Sequence, residues 1–375
     1  MNQIRRKRTA SDRKPLGRLL SWTSDRTGIP EDGEAEGKEE RGPGSGAAEA
    51  AESGQDVGWG RVSLFLQRLG KKADSSRLSL AHCDLTATDL LELATLLQFL
   101  PQLEEVDVSW NELIGGSLTA LTSHLQHVAG IRALRLCSCR LSADDIAALG
   151  GVVSALPRLC VLDVSCNPQL TQEVDVGGFT ALASSLSHAA SVTTLRFHAC
   201  GLTPDGLDAL VVGGRLALLL DALQPSVILE LRLSSCELTT DDLRHLAAVC
   251  RRGCLSSLRV LDLSYNGSVG DAGWSSLFSA GGLSSLQDVD LSLRPSTSAP
   301  CSAWLPPLLS ALPRLPALTR LAARRWTVGS QDRKKLSHCL KKRSVLLEWD
   351  PPQRDAGLLF KATNQESPEE SRPEE

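Results

Sequence analysis

Residues 106–113 read VDVSWNEL, residues 134–141 read LRLCSCRL, and residues 162–170 read LDVSCNPQL. The three stretches begin 28 residues apart, and each has two apolar residues around a charged one, followed by Asn or Cys at its sixth position. Alternation with a period of two is typical of a short strand that turns its apolar side chains toward a core. The pattern therefore predicts a strand that recurs every 28 residues.

The same pattern extends in both directions along the chain. Its Cys or Asn position is filled seven times, with spacings of 28, 28, 28, 33, 36 and 30 residues, by Cys83, Asn111, Cys139, Asn167, Cys200, Cys236 and Asn266. Weaker copies follow at Val289 and Leu318. This is the signature of leucine-rich repeats, whose units bury their leucine faces only by stacking.

Helix starts follow the copies that carry Cys. A Ser or Thr with an Asp three residues later is a typical helix-capping pair, and three such pairs occur: Thr86 with Asp89, Ser142 with Asp145, and Thr239 with Asp242. The sequence thus predicts an α/β leucine-rich repeat solenoid, a horseshoe with a parallel sheet on its concave face and helices on its convex face.

Other segments add a more specific likeness. FLQRLGKKA at residues 65–73, LEEVDVSWN at 103–111 and LSLRPS at 291–296 resemble the ribonuclease-inhibitor-like leucine-rich repeat family. The resemblance covers about residues 60–327 and implies an intracellular repeat protein without catalytic machinery. That family alternates Cys-type and Asn-type repeats, whereas here two Cys-type copies follow each other. The break suggests a shortened member that has lost repeats around residues 202–228.

Charge and composition divide the chain into three parts. Residues 1–59 form a predicted disordered arm, basic up to residue 29 and acidic over 31–56. Residues 60–349 form the predicted repeat domain, and 350–375 form a predicted disordered acidic tail. The domain needs a cap at each end, for which the candidates are Val62, Phe65, Leu66 and Leu69 at one end and Trp304, Trp326 and Trp349 at the other.

Several classes of function lack support in the sequence. It has no phosphate-binding glycine loop, no paired metal-ligand motif and no nucleophile motif, so we expect no enzyme, no cofactor and no metal. A net charge of −4 over 375 residues does not favour a nucleic-acid coat. Eleven cysteines and the lack of an apolar leader or long apolar run predict reduced thiols, no membrane span and a location in the cytoplasm or also the nucleus.

The concave face is predicted from the residue between the two apolar positions of each strand. This central column contains Ser79, Asp107, Arg135, Asp163, Arg196, Arg232, Asp262 and Asp290. Strands lie about 4.8 Å apart, so column neighbours should touch. Acids and bases alternate from Asp107 to Arg196, which predicts a ladder of neutralising pairs. The alternation fails where Arg196 meets Arg232.

This failure marks a candidate site. Arg196 and Arg232, with His198 beside them, would accept a carboxylate or phosphate of a partner. The alternative is a solvated pair, screened by salt and separated by sheet twist. At the edge of the sheet, Trp110 and Tyr265 are candidate interface anchors, although Trp110 could instead pack on its own neighbours.

The predicted function is that of a monomeric, non-enzymatic scaffold or regulator that binds a partner protein on the concave sheet. An inhibitor or assembly factor that blocks one enzyme is the first alternative. The second is contact with a polyanion, nucleic acid or acidic lipid through basic segments, notably residues 320–343 with nine Lys or Arg against one Asp. We expect neither nucleic acid nor acidic lipid as the main partner, because a solvated cap helix also explains that segment.

Overall fold

A computed structural model describes residues 74 to 350 apart from 75, 99, 172–176 and 203–213, together with Gly60 and Ser63. Ten three-residue strands form one parallel sheet in sequence order. They are β1 (Arg77–Ser79), β2 (Glu105–Asp107), β3 (Ala133–Arg135), β4 (Val161–Asp163), β5 (Thr194–Arg196), β6 (Glu230–Arg232), β7 (Val260–Asp262), β8 (Asp288–Asp290), β10 (Arg320–Ala322) and β12 (Leu346–Glu348). Two shorter strands, β9 (Ala299–Pro300) and β11 (Trp326–Thr327), pair with each other.

Helices connect successive strands, as parallel pairing requires. They are α1 (Ala87–Leu97), α2 (Leu118–Leu125), α3 (Ala143–Ala155), α4 (Gly177–Leu186), α5 (Arg215–Asp221), α6 (Thr240–Arg251), α7 (Asp271–Ala280), α8 (Leu305–Ala311) and α9 (Ser330–Lys341). Short 3-10 turns lie at Pro168–Thr171 and Leu312–Arg314. The capping pairs predicted for α1, α3 and α6 are confirmed, each with the side chain and backbone bonds of a capping box.

The register places the repeats in phase. Leu134 lies opposite Leu162, and Arg135 lies opposite Asp163. The apolar strand residues are buried in one continuous core with the inner faces of the helices, while the central column between them is partly exposed. The predicted α/β leucine-rich repeat solenoid is confirmed.

Buried amides join neighbouring repeats. The Asn167 Oδ1 accepts the backbone N–H groups of Cys139 and Leu141 at 2.9 and 3.1 Å, and its Nδ2 donates to the carbonyls of Leu136 and Val164 at 3.0 and 2.7 Å. Asn111 and Asn266 repeat these contacts. A Cys in the same position makes a simpler contact, since the Cys139 thiol donates to the carbonyl of Val108 at 3.3 Å.

Each of the first seven strands, β1 to β7, is followed by a residue in the left-handed region of backbone space. We call these seven residues the left-handed row, with φ between 52° and 64°: His82, Trp110, Ser138, Cys166, Ala199, Ser235 and Tyr265. Their N–H groups extend the strand ladder to the next repeat, as when Trp110 donates to the carbonyl of Cys137 at 2.6 Å. The row therefore forms one edge of the sheet.

Aromatic packing closes the last repeats. Trp304 and Trp326 are buried with their ring centroids 4.9 Å apart, and Trp349 packs partly buried beside them. The three Trp residues proposed for the cap thus pack together, and Trp274 joins them with its ring centroid 6.3 Å from that of Trp304. The candidate cap residues Val62, Phe65, Leu66 and Leu69 lie outside the described residues, as do residues 203–213 within the predicted break at 202–228.

Candidate functional site

The central column lies where the sequence predicted it, on the open face of the sheet. Asp107, Arg135, Asp163, Arg196, Arg232 and Asp262 are all partly exposed. The register pairs Arg196 directly with Arg232 across β5 and β6.

Glu230 lies between the two arginines. Its Oε1 accepts hydrogen bonds from the Nε of Arg196 at 2.9 Å and from the Nε of Arg232 at 2.6 Å. Further carboxylates approach from the outer sides, Asp163 at 3.7 Å from Arg196 and Asp262 at 3.8 Å from Arg232. One shared carboxylate and two flanking ones thus compensate the charges of both arginines. The failed alternation suggested that Arg196 and Arg232 would accept an anion of a partner, but both are already paired within the sheet.

Glu230 stays ionised in this setting. Partial burial alone would raise the pKa of its carboxyl group, but the hydrogen bonds from Arg232 and Arg196 outweigh burial and lower that pKa below its usual value. For the same reason, the pKa of Arg232 is raised by its bond to Glu230 despite partial burial. The five-residue chain Asp163, Arg196, Glu230, Arg232 and Asp262 is thus a fixed array of alternating charges.

The predicted ladder from Asp107 to Arg196 is also organised differently. Arg135 pairs with Glu105 at 3.0 Å, and Glu105 pairs in turn with Arg77 at 3.4 Å. Asp107 instead accepts the backbone N–H of Ser109 at 3.0 Å. Of the pairs predicted there, Asp163 with Arg196 is confirmed.

A third cluster occupies the last strands. Arg320 pairs with Asp288 at 2.7 Å, with Asp290 at 3.3 Å and with Glu348 at 2.7 Å. Glu348 also binds Arg324 at 2.7 Å. Hydrogen bonding to Glu348 raises the pKa of Arg320, and the same bond lowers the pKa of Glu348. Charges on the concave face are therefore held in position by one another.

Serine residues of the neighbouring column form hydrogen bonds with three aspartates of the central column and with His198. The carboxylates of Asp163, Asp262 and Asp290 each accept the backbone N–H of the serine two residues later, at 3.0 to 3.1 Å. His198 takes part in the same layer, with its Nδ1 2.6 Å from the Ser234 hydroxyl oxygen. His198 is hydrogen-bonded within the sheet rather than directed at the arginine pair.

Two members of the left-handed row, Trp110 and Tyr265, have large and exposed aromatic side chains. Trp110 is 46% exposed, and its ring stacks on His82 with centroids 5.2 Å apart and planes 11° from parallel. Tyr265 is 37% exposed. Small residues fill the four row positions between them: Ser138, Cys166, Ala199 and Ser235. The packing alternative for Trp110 holds for one ring face only, because almost half of the side chain stays in solvent.

A cleft lies beside three members of this row, Ser138, Cys166 and Ala199. It has a volume of about 330 Å³ and is lined by Glu112, Ser138, Arg140, Cys166, Pro168, Gln169 and Ala199. Row neighbours lie one strand spacing apart, so Trp110 and Tyr265, five strands apart, are separated by about 24 Å. An extended peptide of about seven residues has that length.

Sequence reasoning missed the residues that organise the face. Glu105, Glu230 and Asp288 stand two positions before central-column residues. Residues two apart in a strand share a face, and this second column could have been read from the same alternation. His82 occupies the same repeat position as Trp110, which was the available signal for their stacking.

The described residues also bear on other kinds of site. They contain no group of three His, Cys, Asp or Glu side chains arranged to hold a metal ion. Among the helices from α1 to α9, none is both long enough and apolar enough to cross a membrane.

Comparison with known proteins gives matches of limited length. Residues 254–278 match the family model described as Leucine Rich repeat. Ribonuclease inhibitor from Sus scrofa is 33% identical over 152 residues, which is 40% of this chain and 32% of that protein. NACHT, LRR and PYD domains-containing protein 12 from Homo sapiens is 35% identical over 137 residues, 36% of this chain and 12% of that protein. The match thus spans about a third of the first relative and about an eighth of the second.

Solved structures resemble the chain at low identity. The yeast Rad7 and Elc1 complex has a chain with a TM-score of 0.46 and 16% identity, covering 81% of this chain and 82% of that one. LegL7 from Legionella pneumophila, a leucine-rich repeat-containing protein, has a TM-score of 0.41 and 21% identity, with 66% and 73% covered. The repeated sequence, the ten-stranded parallel sheet and the family match over residues 254–278 establish the chain as a leucine-rich repeat solenoid of the α/β class.

Proposed function

We propose that this protein is a non-enzymatic scaffold or regulator that binds a partner protein on its concave face and along the left-handed row. The observation that carries the proposal is the placement of Trp110 and Tyr265, both solvent-exposed, at the two ends of a row of small residues. Exposed aromatic side chains at a rigid surface are the residues that most often dominate binding energy.

Backbone conformation strengthens this argument. A bulky residue with positive φ costs conformational energy, and Trp110 and Tyr265 have φ values of 63° and 64°. The fold places a residue in that conformation after each of strands β1 to β7 but does not require an aromatic ring there, since Ala199 fills the same position. Folding alone therefore leaves the choice of Trp and Tyr unexplained, whereas partner binding accounts for it.

The charged array suits a binding surface as well. Arg135, Arg196, Arg232 and the carboxylates around them already hold fixed rotamers, so a partner would order few side chains. Such a surface selects its partner by matching a fixed pattern of charges. Asp107 is partly exposed and has no cation within 4.0 Å in the described part of the chain, so its carboxylate is available for a partner's basic group.

The test compares two variants in cells. Trp110→Ala with Tyr265→Ala removes both anchors, and Leu91→Ala removes a 50% exposed apolar side chain from helix α1 as the matched control. Proximity labelling and quantitative pull-down should lose the same partners in the double variant and keep them in the control. Circular dichroism and thermal melting verify that all three proteins fold alike. An unchanged partner set in the double variant would contradict the proposal.

An enzyme inhibitor is the second candidate, supported by the likeness to Ribonuclease inhibitor over 152 residues. If it is correct, an enzyme is among the partners lost in the double variant, and the purified protein lowers that enzyme's activity. Partners without enzymatic activity would leave the scaffold as the function.

We place either function inside the cell, in the cytoplasm or nucleus, because all eleven cysteines are free thiols. Fluorescence microscopy of the tagged chain tests this location.

A further inference from the structure

Helix α9 presents a cationic surface away from the concave face. Lys334, Lys335, His338 and Lys341, with Lys342 just after the helix, fall within an arc of about 120° at 3.6 residues per turn. Each of them is exposed. We call these five residues the cap-helix face.

The residues on the opposite side of helix α9 hold it against the solenoid, and the cap-helix face takes no part in this packing. Leu336 and Leu340 are buried against the core. Arg333 donates to the carbonyl of Asp350, and Arg343 donates to the carbonyls of Leu312 and Leu315. The helix is therefore fixed by its apolar and arginine side, which leaves the lysines to solvent.

Most charges of the face are uncompensated. Lys335 pairs with Asp332 at 3.2 Å. Within the described residues, no carboxylate lies within 4.0 Å of Lys334, Lys341 or Lys342. Like charges one or two turns apart repel each other, so an acidic occupant would relieve a cost that the helix bears alone.

An acidic segment of the same chain follows this helix closely. Residues 366–375 contain Glu366, Glu369, Glu370, Glu374 and Glu375 against Arg372, and they lie outside the described residues. Their connection begins at Asp350, whose carbonyl accepts the Arg333 guanidinium near the start of α9. The two charge patterns are complementary and close in sequence.

The distance that the connecting chain must span favours residues 366–375 over the other acidic stretch, residues 31–56, as the occupant of the cap-helix face. From Asp350 to Glu366 the chain can extend over about 50 Å, whereas α9 is only about 18 Å long. Residues 31–56 precede β1, at the other edge of the ten-stranded sheet, about 43 Å away. Tethering over the shorter span gives the higher effective concentration.

We infer that residues 366–375 dock on the cap-helix face of the same chain, with their glutamates paired to Lys334, Lys341 and Lys342. The contact is electrostatic and reversible. It covers a surface that would otherwise attract other polyanions, such as acidic lipid headgroups or nucleic acid phosphates. This site is separate from the concave face and does not depend on the function proposed for it.

Zero-length carbodiimide cross-linking of the full chain, mapped by mass spectrometry, tests the inference. At low salt, amide links from Lys334, Lys341 and Lys342 to the glutamates of 366–375 should exceed links from Lys71 and Lys72 to those glutamates about tenfold, as expected for a tethered contact. In 1 M salt, where charges are screened beyond about 3 Å, this excess should disappear. Mixed isotopically labelled chains should show links within one chain only.

A pair of matched variants provides a second readout. Glu366→Gln, Glu369→Gln, Glu370→Gln and Glu374→Gln neutralise the docking segment; Glu31→Gln, Glu34→Gln, Glu36→Gln and Glu39→Gln make the same charge change elsewhere. Only the first should raise the acetylation rate of Lys334 and Lys341, about threefold or more, and strengthen binding to phosphatidylserine vesicles or duplex RNA. The inference fails if the second variant has the same effect, if neither has any, or if links form between chains.

Discussion

At the scale of single residues, the buried amides determine how firmly one repeat holds the next. Asn167 is fully buried and makes two accepted and three donated contacts. We expect Asn167→Ala to lower the free energy of unfolding by about 3 kcal/mol or more, since each buried polar group left unpaired costs about 1–3 kcal/mol. Urea denaturation followed by circular dichroism measures this. A loss below about 1 kcal/mol would mean that water or a shifted backbone replaces the amide.

Glu230 makes a pH-dependent contribution at the same scale. Its folded pKa lies below the ordinary value, so its stabilisation is present above the unfolded pKa of about 4.3 and is lost as pH falls through the lower folded pKa. We expect Glu230→Gln to destabilise the protein by about 1–2 kcal/mol at pH 7 and by progressively less below pH 4. Urea midpoints across this range test it, with the exposed Glu237→Gln as control. A pH-independent difference would assign the effect to packing instead.

At the scale of helices and strands, close backbone approach between α3 and α4 rests on glycine. A Cβ added at Gly178 would lie 2.3 Å from the carbonyl oxygen of Ala143, whereas one added at Gly151 meets nothing within 4 Å. We expect Gly178→Ala to destabilise the protein by about 1–3 kcal/mol through overpacking and Gly151→Ala to stabilise it by about 0.5–1 kcal/mol through helix propensity. Thermal melts of both variants provide the comparison. Equal shifts would show that α4 moves away freely.

The elements differ in how far sequence could predict them. Strand positions and the capping of α1, α3 and α6 follow from local patterns that each repeat must satisfy to bury its own leucines. The bridge that Glu230 forms between Arg196 and Arg232 was harder to predict from the sequence. Arg196 lies 34 residues away from Glu230, and only the sheet register brings them together. Trp274 joins the aromatic cap for a similar reason: its contact with Trp304 is set by how α7 packs, not by local spacing.

Over the whole molecule, the repeats form a row in which each contacts its neighbours only, so stability varies along the solenoid. The Cys139 and Cys236 N–H groups are each held by the amide oxygen of the following Asn repeat. Cys200 is followed by Cys236, which has no such oxygen to offer, although the Cys236 thiol donates to Phe197. Helix α5 nearby has seven residues, against ten in α4 and twelve in α6. We therefore expect the junction of the fifth and sixth repeats to open more readily than the junction of the third and fourth, where the Asn167 amide is present.

Pulsed alkylation with N-ethylmaleimide in rising urea measures this weakness thiol by thiol. Burial raises the pKa of the Cys139 and Cys236 thiols to about 12 and that of Cys200 well above its usual value, so all three should resist alkylation until their repeat opens. Exposed Cys339 should react in the native state. We expect Cys200 to react at lower urea than Cys139, and Cys236→Asn to reduce the difference by supplying the missing amide. Simultaneous reaction of Cys200 and Cys139 would instead mean that the solenoid unfolds as one cooperative unit despite its missing amide.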